Sequence, residues 1–210
     1  MIRHGEAVCN VAGIIGGPRG CTGLSPLGVS QAVRLRGRLE RTGELASASA
    51  LVTSALPRAQ QTASVIGPAV GDGSLVPAED CDVCELHPGP EIDGLSWEEY
   101  SLRFGGGSGG PLGPDQPIGP GGESWSVFRS RVSAALDRLA EDFERQTVVV
   151  ACHGGVVVAA MSHFLALPPP GERAGLEPDH TSLTEFARGA EGPWRLARYN
   201  DAAHLLDWRP

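Results

Sequence analysis

The distribution of apolar residues along this chain predicts four helices. Residues 26–41, 56–67 and 123–146 carry apolar side chains three or four positions apart, which places them on one face of a helix. Residues 154–167 form a further predicted helix, which ends before three consecutive prolines. In the first of these helices, the side chains predicted to face the core are Val29, Ala32, Val33, Leu35 and Leu39.

Short apolar runs between these segments predict strands. Residues 48–54 and 147–152 have the composition of buried strands, and 180–188 and 194–200 are expected to form a pair of strands. Strands that alternate with helices are typical of a mostly parallel sheet with helices on both faces. We therefore expect an α/β fold, a three-layer αβα sandwich. A length of 210 residues suits a single domain spanning 1–210.

Residues 105–122 follow neither pattern. This stretch consists mostly of glycine and proline and lacks apolar periodicity, so it can bury little apolar surface. We expect a flexible loop at the surface of the protein. Two roles are open for it: a linker or tolerated insertion, and a lid beside an active site.

The charge of the chain limits its partners. The formal net charge is −8 and the isoelectric point is about 5.2. This acidity argues against general nucleic-acid binding and against attachment to a membrane through basic residues. All 17 basic residues are arginines, which excludes catalysis through a lysine Schiff base or a P-loop lysine.

The cysteines are expected to be free thiols. The chain has five of them, with no apolar leader and no apolar run long enough to cross a membrane, so we expect a soluble cytoplasmic protein. The sequence CDVC at 81–84 has the form of a metal or redox motif. Such a role needs a helix start or a second pair of ligands. The sequence suggests neither, and no metal or other cofactor is expected.

A candidate anion site follows the strand predicted at 147–152. His153 comes directly after this strand and precedes two glycines at the start of a helix. Ligands of parallel sheets bind beyond the carboxyl ends of the strands, and the N–H groups at a helix N-terminus favour anions. We therefore expect His153 to lie in an anion site. A histidine that caps the helix or packs in the core is the alternative.

Two further segments bring positive charge toward the same edge of the sheet. Arg58 falls in the first turn of a helix, where a cation opposes the helix dipole, and its planar guanidinium suits two phosphate oxygens. An arginine at the surface is the alternative. The opening MIRHGEAVCN adds Arg3, His4 and Asn10, together with Gly5, which allows close approach of the backbone to a ligand. This set predicts a cationic pocket for a phosphoryl group.

The chain resembles the histidine phosphatases, specifically their phosphoglycerate-mutase-like branch. The similar segments are RHGEAVCN, LSPLGVSQA, TSALPRAQQTA, CELHPGPEIDGLSWEEY, GGESWSVFRSRV and VVVACHGG. They occur in the order found in the family and extend from residue 3 to about residue 160. The resemblance implies a phosphoglycerate-mutase-like fold and a small phosphorylated substrate.

The resemblance also implies roles for individual residues. His4 would be the nucleophile that takes up the phosphoryl group on a ring nitrogen. Glu85 would give a proton to the leaving oxygen, with Glu91 as the alternative donor. No metal takes part in this reaction. The residues implied to bind the phosphate oxygens are Arg3, Asn10, Arg58 and His153.

Elementary chemistry agrees with these roles. An imidazole attacks phosphorus only when it is neutral, and arginines beside His4 disfavour its protonation. The leaving alkoxide needs a proton from a carboxyl group, and the resulting carboxylate can then activate water. Two features depart from the family: Ala7 stands where many members carry serine or threonine, and only two residues precede Arg3. We therefore expect either a very short first strand or a sequence that lacks the start of that strand.

Three functions are consistent with these residues. The first is a phosphatase that hydrolyses a small phosphorylated metabolite through a covalent phosphohistidine. The second is a phosphoglycerate mutase, although a mobile loop at 105–122 suits exclusion of water poorly. The third is a non-catalytic phosphate-binding module, against which the full set of site residues argues. Of the other histidines, His180 is a candidate for the pocket, whereas His87 is expected at the surface and His163 in a structural role.

Overall fold

Six strands and six helices make up most of the regular structure in the computed structural model, which describes residues 1–105, 113–167, 175–190 and 192–206. The strands are β1 (Ile2–Arg3), β2 (Ala48–Thr53), β3 (Ala78–Glu79), β4 (Thr147–Cys152), β5 (Leu183–Ala187) and β6 (Arg195–Asp201). The helices are α1 (Val8–Val11), α2 (Pro26–Thr42), α3 (Pro57–Ile66), α4 (Trp97–Arg103), α5 (Trp125–Asp142) and α6 (Gly154–Phe164). Every helix and strand predicted from the apolar pattern is present.

The strands form one sheet in the order β3-β2-β4-β1-β5-β6. The first four of these pair in parallel, whereas β5 runs antiparallel to both β1 and β6. The mostly parallel sheet expected from the sequence is thus confirmed. Its antiparallel edge is the pair of strands predicted near the carboxyl terminus of the chain.

Helices cover both faces of the sheet. Successive residues of β4 point to opposite faces, and they enter two different apolar clusters. Val150 packs with residues of α5 and α6, whereas Val149 packs with residues of α2 and α3. The three-layer αβα arrangement is therefore confirmed. No helix among the described residues is long and apolar enough to cross a bilayer.

Local sequence sets the ends of the long helices. The Ser25 hydroxyl caps α2 by accepting a hydrogen bond from the Gly28 N–H at 3.0 Å, and Gly43 ends this helix in the left-handed conformation with φ of 64°. Ser124 caps α5 in the same way, accepting from the Val127 N–H at 3.3 Å. These caps satisfy N–H groups that have no partner within the helix.

The buried face of α2 differs from the prediction. Val29 and Val33 are 43% and 53% exposed, whereas Gly28 and Gln31 are buried beside the predicted Ala32, Leu35 and Leu39. The reason is a close approach at the start of the helix. A Cβ atom on Gly28 would overlap the backbone of Glu6. The face of α2 that carries Gly28 therefore packs against the N-terminal loop, and the two valines lie on the solvent side of the helix.

The short strand β1 lies in the middle of the sheet, between β4 and β5. Its two residues pair with Ala151 and Cys152 of β4 in parallel register. Because β1, β2 and β4 are parallel, their carboxyl ends meet at one edge of the sheet. The residues that follow them directly are His4, Ser54 and His153, so the topology collects these polar side chains at one place.

The glycine- and proline-rich stretch is described only in part. Residues 106–112 lie outside the described residues. In the remainder, the Ile118 N–H donates to the Glu123 carbonyl at 3.0 Å, and the Tyr100 hydroxyl donates to the Ile118 carbonyl at 2.9 Å. Flexibility of the loop as a whole stays a prediction.

Candidate active site

His4 has its ring fixed by two partners that determine its tautomer. Its Nδ1 lies 2.7 Å from the Gly5 carbonyl, which can only accept a hydrogen bond, so Nδ1 carries the proton. Its Nε2 lies 3.0 Å from Nε of Arg58, which can only donate. The lone pair of Nε2 is therefore directed into the site. This is the arrangement that a nucleophilic imidazole requires.

His153 is fixed by the same reasoning. Its Nδ1 accepts from Arg58 Nε at 3.2 Å, so its Nε2 carries the proton and donates to the Ser54 hydroxyl at 2.7 Å. The ring centroids of His4 and His153 are 5.0 Å apart. One arginine N–H therefore lies between two neutral imidazoles and orients both of them.

Both histidines are held in the neutral form. His4 is 4% exposed and His153 is fully buried. Burial lowers the pKa of each imidazole well below its usual 6.5, and the neighbouring charge of Arg58 lowers both pKa values further. The expectation that arginine disfavours protonation of His4 is thus supported, although burial is the larger cause.

The site contains two arginines that form no direct ion pair among the described residues. Among the described residues neither Arg3 nor Arg58 forms an ion pair, although Arg58 is only 4% exposed. The Arg3 guanidinium donates to the Pro178 carbonyl, and Arg58 Nη1 donates to the Gly16 carbonyl at 2.7 Å. A buried charge is costly unless it is paired, so this pocket is complementary to an anion.

Two buried nitrogen atoms of the site also lack a hydrogen-bond partner among the described residues. They are Nε of Arg3 and Nε2 of His180. The His180 ring lies 5.6 Å from that of His4, which supports its candidacy for the pocket. Burial, followed by the charge of Arg3, lowers the pKa of His180 to about 4. Buried polar groups usually have a hydrogen-bond partner, so these two nitrogens are available to a water molecule or to an atom of a ligand.

The Glu85 carboxylate contacts the second residue of α6, which is Gly155. Its Oε2 accepts from the Gly155 N–H at 3.0 Å, and its Oε1 accepts from its neighbour, the Leu86 N–H, at 3.0 Å. Each oxygen keeps a second lone pair that can hold a proton. Gly155 is required for this contact, because a Cβ atom there would overlap the Glu85 carboxylate.

Glu91 and Asn10 occupy more exposed positions. Glu91 is exposed, which favours Glu85 as the carboxyl group of the site. Asn10 is also exposed, and its Oδ1 accepts from the Ala7 N–H at 3.0 Å. That bond directs its amide oxygen to the backbone and leaves the NH₂ group as a donor. A phosphate contact through this NH₂ group stays a prediction.

The chain matches the family model of the histidine phosphatase superfamily, branch 1, over residues 1–202. It belongs to the histidine phosphatase superfamily. It is 28% identical to a metal-independent phosphoserine phosphatase of Arabidopsis thaliana, covering 98% of this chain and 82% of the relative. It is 31% identical to a probable phosphoglycerate mutase of Yersinia enterocolitica, covering 98% of this chain and 93% of the relative.

The structure of this histidine phosphatase is similar to that of a mycobacterial glucosyl-3-phosphoglycerate phosphatase solved with vanadate. The TM-score is 0.77 with 27% identity, over 96% of this chain and 97% of the other. The family and these relatives support phosphatase activity. They also confirm the resemblance drawn from the sequence motifs.

Some residues of the histidine phosphatase site were not predicted from the sequence. Ser54 directly follows β2 and links His153 to the Cys84 thiol, to which its hydroxyl donates at 3.2 Å. Thr62 accepts from the Gly5 N–H at 3.1 Å and so holds the backbone beside His4. The sequence could have indicated Ser54, because it lies at the end of a predicted strand whose carboxyl end shares an edge of the sheet with His153. No feature of the sequence indicated Thr62.

Gly5 has a packing role that the sequence did not predict. A Cβ atom at Gly5 would lie 2.5 Å from the Gly28 carbonyl oxygen of α2. The close approach that glycine permits here is to a helix of the same chain, and approach of the backbone to a ligand stays a prediction. This packing fixes the loop that carries His4.

Acid should destabilise this histidine phosphatase through its buried histidines. The pKa values of His4 and His153 are lowered by folding, so the unfolded chain binds protons that the folded chain does not. The free energy of unfolding should therefore fall below about pH 6.5, by at most about 1.4 kcal/mol per pH unit for each histidine. Urea unfolding at about pH 7.5 and about pH 5 measures this loss.

The variant for this test is His4→Gln. It should lose less stability between the two pH values than the wild type, because it removes one of the two buried histidines that gain a proton on unfolding. Equal losses in the wild type and His4→Gln would contradict the assignment.

Proposed function

We propose that this chain is a phosphomonoesterase that hydrolyses a small phosphorylated metabolite through phosphorylation of His4. The observation that carries the proposal is the accepting Nε2 of His4, directed into a pocket whose two arginines form no ion pair among the described residues. A phosphoryl group would place its oxygens among these cations and its phosphorus opposite the lone pair.

In the first step the lone pair of His4 Nε2 attacks phosphorus. The Nε2–P bond forms as the ester P–O bond breaks, and the leaving oxygen takes a proton from Glu85. Arg3, Arg58 and His153 stabilise the charge on the oxygens that do not react. In the structure the Nε–H of Arg58 donates to both histidines. We propose that it donates to one of these phosphoryl oxygens when substrate is bound.

In the second step water releases the phosphoryl group. The Glu85 carboxylate takes a proton from water, the water oxygen bonds to phosphorus and the Nε2–P bond breaks. The products are inorganic phosphate and a neutral His4, and Glu85 is again protonated. One carboxyl group thus serves both steps, and protons balance over the cycle.

We propose that the reaction needs no metal ion. In phosphoryl transfer the role of a metal is to polarise the phosphoryl oxygens and neutralise charge. Arg3 and Arg58 carry permanent positive charge and supply planar donors at the same place. The name of the Arabidopsis relative, a metal-independent phosphoserine phosphatase, supports this assignment.

The named relatives suggest which substrates to test first. They are named for phosphoserine, phosphoglycerate and glucosyl-3-phosphoglycerate. The Yersinia relative favours phosphoglycerate mutase as the second candidate function. A mutase must keep the phosphoryl group away from water until it is returned to substrate, so the two functions differ in whether inorganic phosphate is released.

A panel of phosphorylated metabolites with these compounds at its centre, assayed with and without EDTA, tests both parts of the proposal. We expect stoichiometric release of inorganic phosphate from at least one compound, at equal rates in both conditions. Isomerisation of phosphoglycerate without phosphate release would identify a mutase. Activity that is lost in EDTA and restored by magnesium would contradict metal independence.

A further inference from the structure

Three potential metal ligands lie together beside the candidate active site. They are Cys81, Cys84 and His87, whose ligand atoms all lie within 4.8 Å of one another. From the sequence, a metal-binding role for CDVC was expected to need a helix start or a second pair of ligands. The structure supplies a single histidine, three residues after the second cysteine. Cys84 is buried, His87 is partly exposed and Cys81 is exposed, so one side of the cluster is open to an entering ion.

The spacing of these atoms suits a tetrahedral ion. Zinc binds thiolate sulfur at about 2.3 Å and imidazole nitrogen at about 2.0 Å, so its ligand atoms lie about 3.5–3.8 Å apart. Cys81 Sγ and His87 Nε2 are separated by 3.8 Å. Since all the ligand atoms lie within 4.8 Å of one another, no separation has to shrink by more than about 1.3 Å to reach this geometry. Three protein ligands leave one position for water.

The His87 ring is oriented as a metal-binding histidine would be. Its Nε2 faces Cys81, and its Nδ1 faces Oε1 of Glu123 at 3.8 Å. Histidines that bind metals usually direct their second nitrogen to a carboxylate or carbonyl, which fixes the tautomer. Glu123 is itself held by Arg131, with contacts of 2.8 Å and 2.7 Å.

Arg131 also holds the backbone that carries the two cysteines. Its Nη1 donates to the carbonyls of Cys81, Asp82 and Cys84 at 3.2, 2.9 and 3.2 Å. The segment forms a short 3₁₀ turn over Cys81–Val83. One arginine therefore fixes both the turn that supplies the thiols and the carboxylate that faces the imidazole.

The cluster adjoins the phosphate pocket at two points. Cys84 directly precedes Glu85 in the chain. Its Sγ also accepts from the Ser54 hydroxyl at 3.2 Å, and that hydroxyl accepts from His153. An ion bound here would fix the chain on both sides of Glu85, since its ligands are residues 81, 84 and 87.

The geometry points to a binding site for one thiophilic divalent cation, such as zinc, formed by Cys81, Cys84 and His87. The two thiolates balance the charge of the ion, and the imidazole adds a neutral ligand. The ion takes no part in phosphoryl transfer, because that reaction uses the lone pair of His4 and the charge of the arginines. The proposed metal site and the proposed metal-independent hydrolysis can therefore be tested, and disproved, independently of each other.

Titration of the reduced, metal-free full-length protein with Co²⁺ tests the site directly. Cobalt bound by thiolates absorbs through sulfur-to-metal charge transfer, which histidines and carboxylates do not produce. We expect one equivalent of Co²⁺ to produce this absorption and one equivalent of Zn²⁺ to abolish it by displacement. A competing chelator then gives the zinc affinity, and bound zinc should raise the melting temperature.

Variants of each ligand separate this site from others. Cys81→Ser, Cys84→Ser and His87→Gln should each weaken zinc binding by more than about tenfold. Loss of a residue that only hydrogen-bonds to a metal ligand already lowers metal affinity by about tenfold or more, and loss of the ligand itself should cost at least as much. Cys81 is exposed, so its replacement keeps the fold even if that of Cys84 does not. The matched controls Cys152→Ala and His163→Gln should bind zinc as the wild type does.

Two results would overturn the proposal. One is the absence of stoichiometric zinc binding by the wild type. The other is binding without thiolate absorption that survives Cys81→Ser and disappears in His4→Ala, since this would place the ion on the histidines of the phosphate pocket. Hydrolysis by the metal-free wild type is measured in parallel and reports only on the proposed phosphatase reaction.

Discussion

Replacing His4 by alanine should lower turnover by more than about a thousandfold, because the remaining groups offer no covalent path for the phosphoryl group. The two central histidines differ in the ring nitrogen that holds the lone pair. Nδ1 of His153 accepts from Arg58, and its Nε2 carries a proton and is bonded to Ser54. Nε2 of His4 accepts from the same Arg58 N–H and holds the lone pair that we assign to the attack on phosphorus.

Rapid-quench labelling with a ³²P-labelled substrate measures this prediction. Wild-type protein should form a labelled adduct that is labile in acid and stable in base, as expected for phosphohistidine. His4→Ala should form none. It should nevertheless bind inorganic phosphate, since Arg3, Arg58 and His153 remain, and this binding shows that the pocket is intact. His163→Ala, which alters a histidine outside the pocket, should form the adduct at the wild-type rate.

The nucleophile assignment would be wrong if His4→Ala kept both the adduct and normal turnover. An adduct that is retained but turns over slowly would place the phosphoryl group on another residue. Loss of the adduct together with loss of phosphate binding would indicate a disrupted pocket, and the conservative variant His4→Gln would then be measured in its place.

The sequence predicted the main part of the site because its chemistry follows the chain locally. His4 and His153 each come directly after a strand, and Arg58 lies five residues beyond β2. In a parallel sheet these positions share an edge whatever the lengths of the connections. An apolar pattern that locates the strands therefore also locates the residues that follow them.

The remaining features depend on contacts between distant parts of the chain. His180 reaches the pocket because the Thr181 N–H donates to the Arg3 carbonyl at 3.0 Å, with Thr181 itself at φ of 59°. Gly155 admits a carboxylate from residue 85, seventy positions earlier. The residues next to His180 and Gly155 in the sequence do not by themselves predict these contacts.

The grouping of Cys81, Cys84 and His87 was not predicted, for a related reason. The CDVC motif was judged by whether a helix start or a second pair of ligands accompanied it. The structure instead turns the chain after Cys84 so that His87 faces back toward Cys81. The turn depends on Arg131, which lies 44 positions beyond His87 and donates to the backbone of the motif. Sequence spacing alone could not reveal that constraint.

The second large effect concerns Glu85 and should depend on the leaving group. An alkyl phosphate expels a strongly basic alkoxide, which needs a proton in the transition state, whereas p-nitrophenyl phosphate expels a stable phenolate that does not. Glutamine matches the size of glutamate but has no acidic proton to give. Glu85→Gln should therefore slow phosphorylation of His4 by an alkyl ester by about a hundredfold or more.

Phosphorylation by the aryl ester should be slowed much less, although release of phosphate by water should be slowed with both esters, since it uses the same carboxylate. The pre-steady-state burst isolates the first step and is the quantity to measure.

Glu91→Gln is the matched control, because Glu91 is exposed and is the other carboxylate of this segment that the sequence suggested. Equal losses on both esters in Glu85→Gln would remove Glu85 as the proton donor. A defect confined to the alkyl ester in Glu91→Gln would move that role to Glu91, and the contact between Glu85 and Gly155 would then be structural.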